Sequence, residues 1–141
     1  ADRGLAGERD GEPGRLHFAG WLSQADCARR LQDSDVLLLP SLWECGGAVV
    51  LEAMACRIPV IATAWGGPLD YLDASSGVLV PPDSGEALVN GFADAMTALA
   101  RDPARRRAMG EAARERVERD FDWERKVDRV LEIYRDVIAR A

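Results

Sequence analysis

An α/β domain with a parallel sheet and helices packed on its faces is the fold class this sequence predicts. Three observations predict it. Asp35–Pro40 (DVLLLP), Arg57–Ala62 (RIPVIA) and Gly77–Pro81 (GVLVP) are continuous apolar runs, not alternating ones. That pattern suits strands covered on both faces. Ala48–Cys56 lies between the first two runs and reads as a short helix, so strand, helix and strand follow in the order of a βαβ unit. After Pro81-Pro82 the chain carries helical periodicity to its end.

The elements follow in order. Ala1–Gly14 is rich in Gly, Asp, Glu and Arg and predicts a flexible segment. Arg15–Gly20 (RLHFAG) predicts a short strand. Ser23 opens a helix with Asp26 three residues on, in the manner of a capping box. That helix runs to about Asp33 with Cys27, Ala28 and Leu31 on its apolar side. Ser84 caps a helix whose Leu88, Phe92, Ala95 and Leu99 share one stripe. Pro103 suits the first position of the next helix, which is Arg/Glu/Ala-rich through about Arg119 and predicts a mostly solvated rod. Arg101–Arg107 and Arg114–Arg119 are read as solvated faces with i,i+4 pairs to Glu111, Glu115 and Glu118. Asp122 caps a last helix with Trp123, Val127, Val130, Leu131, Tyr134, Val137 and Ile138 on one face. This makes about four strands, where doubly wound sheets carry about five or six. The chain also opens on a Gly-rich stretch and not on a strand with its helix. The expectation is a partial domain over residues 15–141, incomplete at its N-terminus, preceded by a flexible segment over 1–14.

Composition bounds the function. The chain has 141 residues, 48% hydrophobic and 30% charged, with a formal net charge of -6. That is a globular composition, not a disordered one. The acidic balance argues against a nucleic-acid backbone as partner. The apolar runs are too short to span a bilayer, and no apolar leader segment is read near Ala1. The three cysteines, Cys27, Cys45 and Cys56, have no CxxC spacing, and His17 is the one histidine. Neither zinc nor a disulfide framework is expected, which fits a reduced, cytoplasmic compartment.

The chemistry concentrates in Pro40–Cys56, PSLWECGGAVVLEAMAC. It reads as a strand end, a Gly-containing loop and a helix start. Ligands of parallel α/β sheets bind beyond the carboxyl ends of the strands. The amides of Gly46, Gly47, Ala48 and Val49 would face out of the helix N-terminus, where a phosphate is favoured. Glu44 stands before the helix and Glu52 about one turn inside it. Each carboxylate can accept two hydrogen bonds from a vicinal diol. The same residues also fit a plainer role, in which Gly-Gly lets a helix pack tightly on a sheet and Glu44 only partners the helix dipole.

Flanked by its neighbours, the segment PSLWECGGAVVLEAMACRIPVIATAWGGPLDYL resembles the signature region of retaining GT-B glycosyltransferases. That large family includes sucrose synthases, bacterial mannosyltransferases and capsule or lipopolysaccharide sugar transferases. Its pattern is Pro-Ser-x-x-Glu-x-Phe-Gly, an apolar run to Glu-Ala-Met-Ala, then Gly-x-Pro-Val-(Val/Ile)-Ala-Thr, then Gly-Gly-x-x-Glu. Glu44 and Glu52 are separated by seven residues, as in that pattern. HFAGWLSQADCARRLQDSDVLLLPS upstream, SGVLVPPDSGEAL and DFDWERKVDRVLEIY downstream are similar to further family segments in the same order. The resemblance spans about Leu16 to Tyr134.

The resemblance implies a Rossmann-like C-terminal half of a GT-B fold. It implies Glu44 on the donor-sugar hydroxyls, as the catalytic-site residue. It implies the backbone of Gly46, Gly47, Ala48 and Val49 on sugar and diphosphate, and Glu52 on the nucleotide ribose. The donor substrate is then a nucleotide-diphosphate sugar, with no metal or other cofactor, and the reaction retains anomeric configuration. Gly46 stands where the family usually has an aromatic, Cys45 where it commonly has glycine, and Asp70 where it more often has glutamate. The Arg and Lys that clamp the diphosphate, and the N-terminal domain with the acceptor site, match nothing in this chain. The expectation is a fragment that holds part of the donor site and is inactive alone. Its parent would transfer sugar to a sugar or lipid-linked acceptor, in the cytoplasm or peripheral to the inner membrane face. Self-association through the exposed last helix or the incomplete sheet is a further expected contact. The alternative is a non-catalytic nucleotide-sugar binding or interaction module.

The remaining candidates take structural roles. His17 is read in a strand away from the donor. Trp43 is expected to pack beneath the loop, and Trp65 to pack before Gly66-Gly67, with the cleft as its alternative. Cys45 is the thiol expected to be exposed, but no histidine partners it as a nucleophile.

Overall fold

The computed structural model describes residues 17–140. β1 (Leu37–Leu39), β2 (Val60–Thr63) and β3 (Gly77–Val80) form one parallel sheet in the order β1-β2-β3. Leu38 stands opposite Ile61, and Ile61 opposite Val78. All four residues of the central strand β2 are buried. Its pleat sends Val60 and Ala62 to one face and Ile61 to the other. This is why its sequence runs apolar without alternation.

The helices complete two cores. Val50, Ala53 and Met54 of α2 (Ala48–Ala55) and Ala113 of α5 (Pro103–Asp120) cover the Val60–Ala62 face. Phe92 and Leu99 of α4 (Gly85–Arg101), with Met109 of α5, cover the Ile61–Val80 face. Each large apolar side chain buried this way contributes about 1.5–3 kcal/mol. Three caps fall on the residues the sequence nominates, Ser23, Ser84 and Asp122, and the structure adds Asp102 directly before Pro103. Ser23 Oγ accepts the Asp26 amide at 3.2 Å before α1 (Gln24–Gln32), and Ser84 Oγ accepts the Ala87 amide at 3.1 Å. Asp102 accepts the Arg105 amide at 2.9 Å, and Asp122 accepts the Arg125 amide at 3.2 Å before α6 (Trp123–Ala139). Caps of this kind are worth about 1 kcal/mol each.

Several expectations change. The strand expected over Arg15–Gly20 is absent from His17–Gly20, so three strands, not four, are present among the described residues. Phe18 lies 73% exposed there and Gly20 turns the chain at φ 63. Arg15, Leu16 and the segment 1–14 lie outside the described residues. On α1, Cys27 and Ala28 are exposed, and Leu31 packs against the core. β2 begins at Val60 and not at Arg57, because Arg57 takes a left-handed φ of 61 directly after α2. Arg57 occupies the glycine position of the Gly-x-Pro pattern, and a side chain there costs about 1–2 kcal/mol. A short helix unforeseen in the sequence, α3 (Gly67–Tyr71), follows the Gly66 turn, with Pro68 in its first turn.

The largest correction concerns α5, which is no solvated rod. Met109, Gly110 and Ala113 are buried. A Cβ on Gly110 would lie 2.1 Å from the Arg57 carbonyl oxygen, so only glycine lets α5 sit this close to the end of α2. Three arginines of the supposed solvent face donate to carbonyls at the C-termini of other helices. Arg114 reaches Ala55 O of α2 (2.7 Å), Arg116 reaches Tyr71 O of α3 (2.6 Å), and Arg106 reaches Leu99 O of α4 (2.9 Å). Helix C-termini leave carbonyls without intrahelical donors and carry partial negative charge. Of the expected pairs, Arg114–Glu118 forms, whereas Glu111 pairs with Arg57.

α6 begins on an aromatic anchor. Phe121 meets Tyr71 edge-on at 5.3 Å, and the Lys126 ammonium lies 5.4 Å from the Phe121 ring centre. Beyond this the expected apolar stripe is exposed, from Trp123 at 81% to Ile138 at 76%. Among the described residues no helix is long and apolar enough to cross a membrane.

Asp73 ties the turn before β3. Its Oδ1 accepts from the Ser75 hydroxyl (2.5 Å), the Ser75 amide (2.9 Å) and the Ser76 amide (3.1 Å). Arg116 approaches Oδ2 at 2.8 Å. The Ser75 hydroxyl foremost holds the carboxyl at a pKa of about 2, against an ordinary 3.8. A depressed carboxyl stabilises the fold above its unfolded pKa, and that stability is lost as pH falls toward the folded value. Asp73→Asn is therefore expected to be less stable than wild type at pH 7, with the gap closing between about pH 4 and pH 2. Urea unfolding across that window checks this; a gap independent of pH contradicts it.

Candidate functional site

The carboxyl ends of β1 and β2 each release a loop, and the two loops meet backbone to backbone. After β1, Pro40–Gly47 leads into α2; after β2, Ala64–Gly66 leads into α3. Gly67 donates its amide to Cys45 O at 3.1 Å. A Cβ on Gly66 would fall 1.8 Å from Glu44 O, and one on Gly67 would fall 2.0 Å from Gly46 O. No side chain fits between such surfaces. Gly66 also holds φ 60 and ψ -141, a region essentially restricted to glycine.

This contact seats the residues nominated from the sequence. Glu44 is half-buried, and its Oε1 accepts the Gly47 amide at 2.8 Å. Gly47 is the N-cap of α2 in the left-handed conformation (φ 63, ψ 44) and has no side chain to cap with. The Glu44 carboxylate supplies the missing acceptor from three residues upstream. The expectation of a free Gly47 amide is thus corrected, and the plainer role of Glu44 as partner of the helix start is present in the geometry. The first backbone bond of α2 is Val50 N–H to Gly47 O at 2.8 Å. The Ala48 and Val49 amides precede it and stand at the positive end of the helix dipole.

Glu52 lies four residues after Ala48, on the same side of α2. Both are exposed, whereas Val50, Ala53 and Met54 face the core. One exposed strip of helix therefore runs from an amide-lined N-terminus to a carboxylate about one turn, or ~5 Å, further on. Gly46 is half-buried, and among the described residues nothing lies within 4 Å of a Cβ built on it. Space is open where the family pattern has an aromatic.

Basic side chains are sparse along the stretch that builds the two loops and α2. Between Leu31 and Ala100 the one Lys or Arg is Arg57, which sits at the far end of α2 and pairs with Glu111. The two loops and α2 carry Glu44, Glu52 and nearby Asp70 instead. Within these loops and α2, positive potential comes from backbone amides. Among the described residues no three His, Cys, Asp or Glu side chains converge as metal ligands.

The other nominated residues sort as follows. His17 is exposed outside any strand. Cys45 is exposed, as expected. Trp43 does not pack beneath the loop; it is 87% exposed and meets Trp65 edge-on. The second loop, in which Trp65 is expected to pack with the cleft as its alternative, proves with Gly66 and Gly67 to be half of the site framework. Its signal was the Gly66-Gly67-Pro68 run at a strand end.

The framework makes a direct expectation. Gly67→Ala forces the loops apart and lowers stability by about 1–3 kcal/mol in urea unfolding. Gly46→Ala adds a methyl to open space and changes it by less than about 0.5 kcal/mol. Equal effects would contradict the geometry.

Comparison with known proteins points one way. A family model described as Glycosyl transferases group 1 matches residues 10–116. The chain is 41% identical over 112 residues to alpha-maltose-1-phosphate synthase of Mycolicibacterium smegmatis. That match covers 77% of this chain and 29% of the relative, so the chain spans less than a third of that curated relative's length. The fold superposes on sucrose-phosphate synthase from Thermosynechococcus elongatus with a TM-score of 0.75 at 36% identity, over 90% of this chain and 31% of the other. A C-terminal domain of a glycosyl transferase group 1 family protein from Francisella tularensis gives a TM-score of 0.67 at 25% identity, over 75% of this chain and 53% of that one.

Proposed function

Because this chain belongs to the glycosyl transferases group 1 family, we propose that it forms one wall of the donor site of an enzyme that moves a sugar from a nucleotide-diphosphate sugar to an acceptor with retention of configuration. Its parallel sheet with flanking helices is the Rossmann-like C-terminal half of a GT-B fold.

The observation that carries this reading is the exposed strip of α2 from the Ala48 amide to the Glu52 carboxylate. Glu52 holds the two ribose hydroxyls. The Ala48 and Val49 amides, with Gly46 beside them, receive the diphosphate, and the helix dipole favours its charge. Glu44 takes a donor-sugar hydroxyl on the carboxylate oxygen that Gly47 leaves free. The Gly47 amide, bound to Oε1 at 2.8 Å, orients the carboxylate for that task. As the sugar–phosphate bond breaks, charge grows on the leaving diphosphate, and amides aimed at it stabilise that charge. No metal or other cofactor enters this scheme.

The chain alone is read as a binder and not a catalyst. Amides without a Lys or Arg between Leu31 and Ala100, apart from distant Arg57, meet only part of a diphosphate's charge. The acceptor and the remaining basic groups belong to the rest of a longer enzyme, cytoplasmic or peripheral to the inner membrane face. The exposed stripe of α6 is a contact surface for that remainder or for a second copy. The same lack of basic residues favours a second reading, a non-catalytic nucleotide-sugar binding module. A second Rossmann-like half encoded ahead of Ala1 would decide for the enzyme.

Calorimetry with UDP, GDP and ADP tests the site. One of the three is expected to bind, and Glu52→Ala is expected to weaken it about tenfold or more, the loss of hydrogen bonds to a charged acceptor. Unchanged affinity removes Glu52 from the ribose. Incubation of the purified chain with UDP-glucose or GDP-mannose and maltose is expected to release no nucleotide; measurable sugar transfer would overturn the binder reading.

A further inference from the structure

We propose that Trp43 and Trp65 form an aromatic platform for a pyranose ring at the sugar end of this cleft, a proposal that rests on the donor-site reading above. The two indoles meet edge-on, with ring centroids 6.0 Å apart and planes at 71°. Trp43 is 87% exposed and Trp65 45%. Trp43, left almost wholly in water, forgoes the burial that usually justifies a tryptophan, and Trp65 keeps nearly half of its surface exposed. Neither residue belongs to either buried core. The pair is therefore not needed to fill the fold.

Its location is held by the backbone contact that builds the site. Trp43 directly precedes Glu44, and Trp65 directly precedes Gly66, whose Cα packs against Glu44 O. Both indoles thus project from the two strand-end loops where ligands of such sheets bind. They flank Glu44, not Glu52, which lies within α2 on its exposed strip. Under the donor-site reading the Glu44 end receives sugar and the Glu52 end receives nucleoside. A nucleobase is therefore the poorer occupant for this pair.

The chemistry matches a pyranose. Such a ring has C–H bonds on its broad face and hydroxyls around its rim. Two indole planes near a right angle form a corner, one plane for the C–H face and the other for an edge. Aromatic faces carry negative quadrupole charge that favours polarised C–H groups. The Glu44 carboxylate is close in sequence to accept a rim hydroxyl. The ring would be the donor's own sugar or the acceptor's, which share this chemistry.

The four indole N–H signals of the uniformly 15N-labelled chain, from Trp21, Trp43, Trp65 and Trp123, provide the test. Each is assigned by single Trp→Phe replacement. The probes are methyl α-D-glucopyranoside, maltose, UDP-glucose and GDP-mannose, with UDP and GDP as sugarless controls and sorbitol as an open-chain polyol. The expected result is movement of the Trp43 and Trp65 signals beyond that of Trp21 and Trp123 with a pyranose-containing probe, and none with sorbitol. Trp43→Leu, at a side chain that is 87% exposed, leaves the fold intact and is expected to weaken that binding about five- to tenfold. Movement with free pyranosides assigns the platform to the acceptor; movement only with a nucleotide sugar, beyond its sugarless control, assigns it to the donor. If no pyranose probe moves the pair beyond its control, or sorbitol moves it equally, the platform is wrong. If UDP, GDP and ADP all fail to bind while free pyranosides still move the pair, the donor-site reading falls and the platform stands.

Discussion

The close approach of Gly66 and Gly67 to the Glu44–Gly46 backbone is the constraint on which the site depends. A Cβ would come within 2.0 Å of a carbonyl oxygen at either glycine. Two strand-end loops that touch this closely cannot move independently. Glu44 is fixed by the Gly47 amide on one side and by the second loop on the other. The start of α2 inherits its place from both. Positioning by packed backbone leaves little freedom to be lost on ligand binding.

That arrangement needs α2 to be held at its other end. α5 does this with one glycine and one arginine. Gly110 lets it press on the Arg57 carbonyl, and Arg114 binds Ala55 O. Arg116 and Arg106 repeat the arrangement at the ends of α3 and α4. Charged donors on orphan carbonyls replace capping motifs that the local sequence lacks. A helix that looks amphiphilic and solvated from its composition is in effect a bracket for three others. The strained φ of Arg57 is tolerated because α2, β2 and α5 all converge on it.

The electrostatics of the site follow from the same economy of side chains. Backbone amides offer positive potential without any cation, and carboxylates stand on either side of them. Such a surface suits a ligand with hydroxyls at its ends and an anion between. It also limits how much negative charge the chain can neutralise alone, since amide dipoles act over the first turn only. Sugar hydroxyls at one end and ribose hydroxyls at the other fit this order, and the exposed indole pair beside Glu44 extends the sugar end.

By itself the sequence determined the parallel sheet, the helices α1, α2 and α4 to α6, and the caps of α1, α4 and α6, because these rest on local rules. Continuous apolar runs mark two-sided burial, and Ser23, Ser84 and Asp122 each serve a neighbour three residues away. The ordered motifs around Glu44 and Glu52 were enough to place the chain in its family. The tertiary structure alone decided what depends on distant partners. The unpaired fate of His17–Gly20 needed the sheet. The duties of Arg106, Arg114 and Arg116 needed the helix ends that they meet, 7, 59 and 45 residues away in sequence. The capture of the Gly47 amide by Glu44 is local in sequence, yet it depends on a left-handed N-cap held against the second loop. The indole corner joins residues from two separate loops. No spacing rule along one chain encodes an edge-on contact between side chains that only the packed sheet brings together.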